Sequence, residues 1–309
     1  MEENLNQKRK VGINNRIIWI LIVAYLWGII IPDIIATVLF STGLPYYDAL
    51  ASIFPEQGDG LKFTIYYYLS TLPCFIAFLA YTRVTKRNLF VFDTFWKGTR
   101  GYQWSWLCKG LLAGFILNFG CIALALLHGD IKLMLNFAAV EIPFYLFALV
   151  CVFIQSSSEE MWTRGFIYDR VNVHYPLWVA ILVNGLFFGA LHIFNDGAGV
   201  LPILDICICG LSYSIAKWYS GTIWFPMGIH TAWNFTQNFL FGLPNSGLVS
   251  EVSVFSLDAS NARTTWLYDY VFGVEGAIPA VFADLILGLV CLYLLKKQGR
   301  LGELTQKLE

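Results

Sequence analysis

An all-α, polytopic membrane protein, with about eight transmembrane helices around a polar intramembrane cavity, is the fold class this 309-residue sequence predicts. Three observations predict it. Hydrophobic residues make up 57% of the chain and charged residues only 13%, both departing from soluble proteins in the direction of lipid, and the mean hydropathy is +0.61. Apolar runs of about 20 residues, the length that crosses a hydrocarbon core as helix, recur from end to end. Two adjacent carboxylates and an arginine, Glu159, Glu160 and Arg164, stand at the end of one long apolar run.

The spans follow in order. The first, 17–40, comes after Lys8, Arg9 and Lys10, but it is too long for a signal peptide and lacks a small-residue cleavage site, so it is expected to be retained. The second and third are 63–81 and 107–127. The fourth, 144–163, and the fifth, 177–194, begin just after Pro143 and Pro176, where a missing N–H costs little. The sixth, seventh and eighth are 200–218, 223–241 and 277–295. Pro32 and Pro226 fall within or near span edges and are expected to kink them; Pro226 sits one turn before His230. No other segment is long enough for a soluble module, so 1–309 reads as a single integral membrane domain with a motif-bearing core at 141–242.

Charge sets the orientation and excludes some functions. Of the 20 Lys and Arg, only Lys62, Lys132 and Arg263 lie in odd-numbered connections. That bias predicts both termini in the cytoplasm, in what the absence of sorting signals suggests is a bacterial cell membrane. The basic, aromatic connection 83–102 reads as a cytoplasmic segment at the headgroups. The longest external loop is 242–275. A formal net charge of −1 leaves no nucleic-acid footprint, so the expected partners are the lipid bilayer and a peptide or protein substrate. The seven cysteines make no CxxC spacing and read as small buried hydrophobes.

Ionisable groups inside a span are costly and default to function. Span four ends in SSSEEMWTRGF. Arg164 stands four residues after Glu160, the spacing at which helical side chains meet, which leaves Glu159 pointing about 100° away and free. Span five carries Phe188 and His192, and span seven His230 and Asn234, each pair also four apart. A carboxylate and a His can hold and deprotonate a water, while a second His and an amide donate to the oxyanion formed when that water attacks a carbonyl. Glu159, His192 and His230 can equally be three ligands of a catalytic zinc with an open fourth position. The absence of an HExxH spacing favours the metal-free form, so no cofactor is favoured and zinc stays open.

Glu159-Glu160 to Arg164 resembles an EExxxR motif, Phe188 to His192 an FxxxH motif, and His230 to Asn234 an HxxxN motif. In this order they resemble the CAAX protease and bacteriocin-processing (Abi) family of intramembrane endopeptidases, which includes the type II CAAX prenyl endopeptidases. The resemblance implies an intramembrane protease with its cavity open to the cytosol. Glu159 and His192 would activate the water, His230 and Asn234 would form the oxyanion site, and Glu160, Arg164 and Phe188 would give structural support. The family is often labelled metalloprotease, although a metal-free glutamate mechanism is also proposed for it. With straight spans, however, Glu159 lies near the cytoplasmic end of span four and His192 about 20 Å along span five. The two meet only if span four continues through GFIYDRV towards Arg170, or if span five starts inside the bilayer.

Three other readings stand beside this one. A Ser212–His230 pair would imitate a serine peptidase. Asp33, Asp205, Asp284, Asn118, Asn184 and Asn238 supply polar groups that a transporter needs. A non-catalytic bacteriocin-immunity or scaffold protein would keep the motifs without turnover.

Overall fold

The computed structural model describes residues 16–26, 30–41, 45–84, 103–136 and 141–307. The basic connection expected at 83–102 lies almost wholly outside them. The described residues are mostly helical, with one short pair of strands and a long, largely irregular loop over 242–275. Helices α1 (Arg16–Tyr25), α2 (Ile31–Ser41), α3 (Pro45–Ile53), α4 (Gly58–Phe63) and α5 (Leu72–Val84) precede the long α6 (Gln103–His128) and α7 (Ile142–His174). There follow α8 (Leu177–Ala190), α9 (Val200–Ser220), α10 (Trp224–Phe235) and α11 (Ile278–Lys297). Four of these, α6, α7, α9 and α11, are long and apolar enough to cross a bilayer. The other four expected spans are shorter or composite: the second, for example, is assembled from α4, a π turn at Thr64–Tyr68, a 3-10 turn at Leu69–Thr71 and α5.

Three boundaries differ from expectation, each for a local reason. Span four does not stop at Thr163. It runs on to His174 as a 33-residue helix, π-wound over Met161–Ile167, so the continuation through GFIYDRV is the alternative the fold adopts. Span five ends at Ala190 and leaves His192 in the turn beyond it. Pro226 is the third residue of α10, in the first turn where its missing N–H has no helical partner to lose, so it starts the helix rather than kinking it.

Small residues let the helices of the core approach closely, as membrane bundles require. A Cβ on Gly110 would stand 2.3 Å from the Phe225 carbonyl oxygen, one on Gly114 2.2 Å from that of Ile229, and one on Gly228 2.4 Å from that of Leu107. Gly110-xxx-Gly114 of α6 thus seats α10 against it, fixing the helix that carries His230. Gly185 and Gly189 of α8 likewise take Leu211 and Cys207 of α9.

The bundle has two unlike ends. At one, Leu177 N–H donates to the Gln306 carbonyl (2.9 Å) and the Trp218 indole to Glu303 (2.6 Å). At the other, β1 (Leu133–Leu135) pairs antiparallel with β2 (Phe255–Leu257), Asn195 Nδ2 donates to the Ser246 carbonyl (2.8 Å), and Arg263 N–H donates to the Asp130 carbonyl (2.9 Å). These contacts knit the loop after α10 into a cap. The cap carries the three exceptional cations, and the first end carries Lys296, Lys297, Arg300 and Lys307.

Candidate active site

A helical hairpin brings the first two motifs to one depth. Glu159 lies sixteen residues before Tyr175 and His192 seventeen after it, about 25 Å of helix on either side of the turn. Arg164 and Phe188 stand opposite each other on the same hairpin, the guanidinium carbon 4.2 Å from the ring centroid. The depth conflict raised by the sequence disappears because α7 is longer than expected. Glu159 and His192 then line one cavity, of about 290 Å³, together with His230 and Asn234 of α10.

Glu160 is fully buried, and its Oε1 accepts from two directions: from the Arg164 guanidinium (3.0 Å) and from His230 Nδ1 (2.9 Å). This carboxylate therefore does more than anchor a helix turn. It ties α7 to α10 and holds the His230 ring with Nε2 turned to the cavity, 3.8 Å from Glu159 Oε2. The other guanidinium nitrogens of Arg164, Nε and NH2, have no hydrogen-bond partner among the described residues. The group lies instead against the faces of Phe188 and Tyr213, the quadrupole contact open to a desolvated cation. Phe188, in the FxxxH motif, is accordingly a platform for Arg164 and also packs edge-on to His230.

His192 is fixed by its own helix. Its Nδ1 lies 2.9 Å from the Phe188 carbonyl; a carbonyl only accepts, so Nδ1 carries the proton and Nε2 is left free. Asn234 donates from Nδ2 to Gln155 Oε1 (3.3 Å) and Ser156 Oγ (3.4 Å), and its Oδ1 accepts from Asn245 (3.2 Å). Gln155 also donates to Glu159 Oε1, so it bridges the candidate base and the candidate oxyanion amide. Sequence reasoning missed Gln155, although it stands one helical turn before Glu159, on the same face. It also missed a second buried ion pair below the first, Lys217 to Asp169 (2.5 Å), with Lys217 donating to the Arg164 carbonyl as well.

Of the six polar residues that a transporter would need, the three asparagines are committed within the fold. Asn184 accepts from Ser214 (3.0 Å), Asn118 donates to Gln237 (2.6 Å), and Asn238 donates to the carbonyls of Leu243 and Leu248. Asp33 is exposed. Ser212 faces α11, where a Cβ on Gly288 would meet its hydroxyl, which is a packing contact. Among the described residues no group of three or more His, Cys, Asp or Glu is placed to hold a metal ion; Glu159, His192 and His230 share a cavity without closing on a common point.

The cavity runs from this mid-depth cluster towards the cap. Asn195, Asn245, Ser246 and Leu248 form its outer wall, and the buried Glu275, which accepts from Trp233 (2.8 Å), Gln237 (2.6 Å) and Asn245 (3.0 Å), pins that wall to α10. On the side of the termini it is stopped by the pairs Glu160–Arg164 and Asp169–Lys217.

Residues 141–236, just under a third of the chain, match the family model described as Type II CAAX prenyl endopeptidase Rce1-like. That segment contains all three motifs. The chain is also 27% identical over 193 residues to the uncharacterized protein YyaK of Bacillus subtilis (strain 168), covering 60% of this chain and 62% of that protein, so it spans about three fifths of the relative's length. No solved structure matches.

Proposed function

We propose, for a chain whose motif segment is similar to the type II CAAX prenyl endopeptidases, that the cavity is the active site of an intramembrane endopeptidase that hydrolyses a peptide bond with an activated water. The observation that carries the reading is the convergence of Glu159 of α7, His192 of the turn after α8, and His230 and Asn234 of α10 on one cavity in which Glu160 already holds His230.

In this reading a water sits between Glu159 and the free Nε2 of His192. Glu159 takes its proton as the oxygen attacks the substrate carbonyl. The resulting oxyanion accepts from His230 Nε2–H when the ring carries both protons, its Nδ1–H held on Glu160, and from Asn234 Nδ2–H once that amide gives up its long bond to Ser156 Oγ (3.4 Å); a donor fixed in advance, as the His230 ring is, costs no reorganisation as charge develops. Glu159 then returns its proton to the departing nitrogen as the C–N bond breaks, leaving a carboxylic acid and an amine. Gln155 holds Glu159 in place and Arg164 holds Glu160.

The mouth is read at the cap end, which the charge bias places on the non-cytoplasmic face. Support comes from the outer wall of Asn195, Asn245 and Ser246, and from the buried ion pairs that close the opposite route. The cytosolic opening came from the resemblance alone.

The test is cleavage of a broad peptide library by the purified protein in detergent, read by mass spectrometry, with and without a strong chelator. Wild-type cleavage that survives the chelator and vanishes in Glu159→Gln is expected. Cleavage unchanged in Glu159→Gln would remove the assignment, and a library left intact by the wild-type protein would favour the immunity or scaffold alternative.

A further inference from the structure

Asp205 and Asp284 are cavity carboxyls that the hydrolytic reading leaves without work. Asp205 is 1% exposed and Asp284 2%. Both oxygens of Asp205 and Oδ1 of Asp284 have no hydrogen-bond partner among the described residues, yet both side chains line the cavity. Buried carboxyls are ordinarily paired or hydrogen-bonded, and the same cavity shows the contrast: Glu275 is bonded by three side chains. The unsatisfied pair lies five residues into α9 and six into α11, helices that leave the cap in the same direction, so the two carboxyls share one depth.

Charge complementarity indicates what they face. Four carboxyl residues line the cavity, Glu159, Asp205, Glu275 and Asp284, while among the described residues no Lys or Arg does. A metal does not fit the pair, since no three candidate ligands are placed together. A nitrogen cation fits, because it brings several N–H donors to oxygens that lack them. Asp205, Cys209 and Tyr213 succeed one another at four-residue steps along one face of α9, and the Tyr213 ring is 6.0 Å from that of His230. The carboxyl thus lies about 12 Å of helix rise from the catalytic cluster, about three to four residues of extended peptide.

Resting on the peptidase reading, we propose that Asp205 and Asp284 form a substrate subsite that holds a peptide's nitrogen cation, a Lys or Arg side chain or a free amino terminus, a few residues from the bond that is cut. The enzyme then selects basic segments, and the subsite supplies register rather than chemistry.

Matched peptides test this: one sequence with Lys, Met or Glu at each position near the cut, with free or acetylated amino terminus. Cationic peptides should be cleaved about 10- to 100-fold better in kcat/KM than their Met counterparts, the span expected of hydrogen bonds to a charged group. Asp205→Asn and Asp284→Asn should level that preference while cleavage of the Met peptides persists. If acetylation alone abolishes the preference, the cation is the amino terminus; if only Lys→Met does, it is a side chain. Wild-type cleavage indifferent both to Lys against Met and to a free against an acetylated amino terminus, or a preference retained in both Asn variants, overturns the subsite. Binding of the same peptides to Glu159→Gln, measured by calorimetry, needs no turnover. Preferential binding of cationic peptides without any wild-type cleavage would sink the peptidase reading and keep the subsite; indifferent binding would sink the subsite whatever the catalytic result. Should the Asn variants fail to fold, the wild-type series still decides.

Discussion

Glu160 offers a way to separate holding the fold from positioning the chemistry. Its Oε1 accepts from both Arg164 (3.0 Å) and His230 (2.9 Å), and both Glu160 and Arg164 are fully buried. Glu160→Gln leaves a buried guanidinium with the Thr163 hydroxyl (2.8 Å) and the rings of Phe188 and Tyr213 but no counter-charge beside it, and breaking a buried pair in this way costs about 3–5 kcal/mol. Adding Arg164→Met removes the stranded charge, so the double variant should recover most of that loss, as replacement of a whole buried pair by apolar groups commonly does. Activity should not recover. His230 still lacks the carboxylate on its Nδ1, and kcat should stay about 10²- to 10⁴-fold low, the scale of a general acid–base contribution, with KM little changed. Thermal unfolding in detergent and steady-state cleavage read the two effects separately. If the double variant recovers kcat along with its unfolding midpoint, Glu160 serves the fold alone and the positioning argument is wrong; an unchanged midpoint in Glu160→Gln would refute the buried-pair argument instead.

Further predictions concern the base, the packing, the cap and the orientation. Glu159, whose side chain keeps about a third of its exposure, should tolerate Glu159→Gln without a shift in unfolding midpoint while kcat falls at least about 10²-fold. Gly114→Ala puts a Cβ 2.2 Å from the Ile229 carbonyl oxygen and should cost about 1–3 kcal/mol, read as a lowered midpoint, with activity falling because the displaced carbonyl adjoins His230. In the cap, burial alone would raise the Asp130 carboxyl, but the Thr265 hydroxyl and the His128 ring, with Arg263 nearby, hold it below its usual 3.8. A depressed carboxyl stabilises the fold above its unfolded pKa, so the cap should lose stability as pH falls below about 4, and Asp130→Asn should flatten the unfolding midpoint over that window. A green fluorescent protein fused after Glu309 should fluoresce, and alkaline phosphatase inserted between Asp258 and Asn261 should be active, if the cap faces away from the cytoplasm; the reverse pattern would turn the cavity round.

Much of the site was legible because its parts are local. Four-residue spacing places Phe188 with His192 and His230 with Asn234 on single helix faces, and polar groups stand out in apolar runs. Depth was less legible. Polar SSSEEMWTR resembles a helix reaching water, yet Lys217 and the rings of Phe188 and Tyr213 supply partners that let α7 continue through the bundle, and no local pattern announces partners that lie one or two helices further along the chain. The centring of Glu159 and His192 on Tyr175 was in the sequence and would have given their common depth. The bond from Glu160 to His230 was hidden for another reason: i, i+4 pairing accounted for Glu160 with Arg164 and drew attention from its remaining lone pairs. Asp205 and Asp284 were visible as intramembrane charges, but only the packing shows that both oxygens of Asp205 and Oδ1 of Asp284 go without partners among the described residues, while the amides of Asn184 and Asn238 have them.

Oxygen tracing in a single turnover tests the central claim most directly. With enzyme in excess over a cleaved peptide in water enriched in oxygen-18, a water activated by Glu159 puts one heavy oxygen into the new carboxylate on the first turnover and none into the protein. First-turnover product carrying only light oxygen, with the label found on Glu159, would mean that the carboxylate itself attacks and would contradict the account.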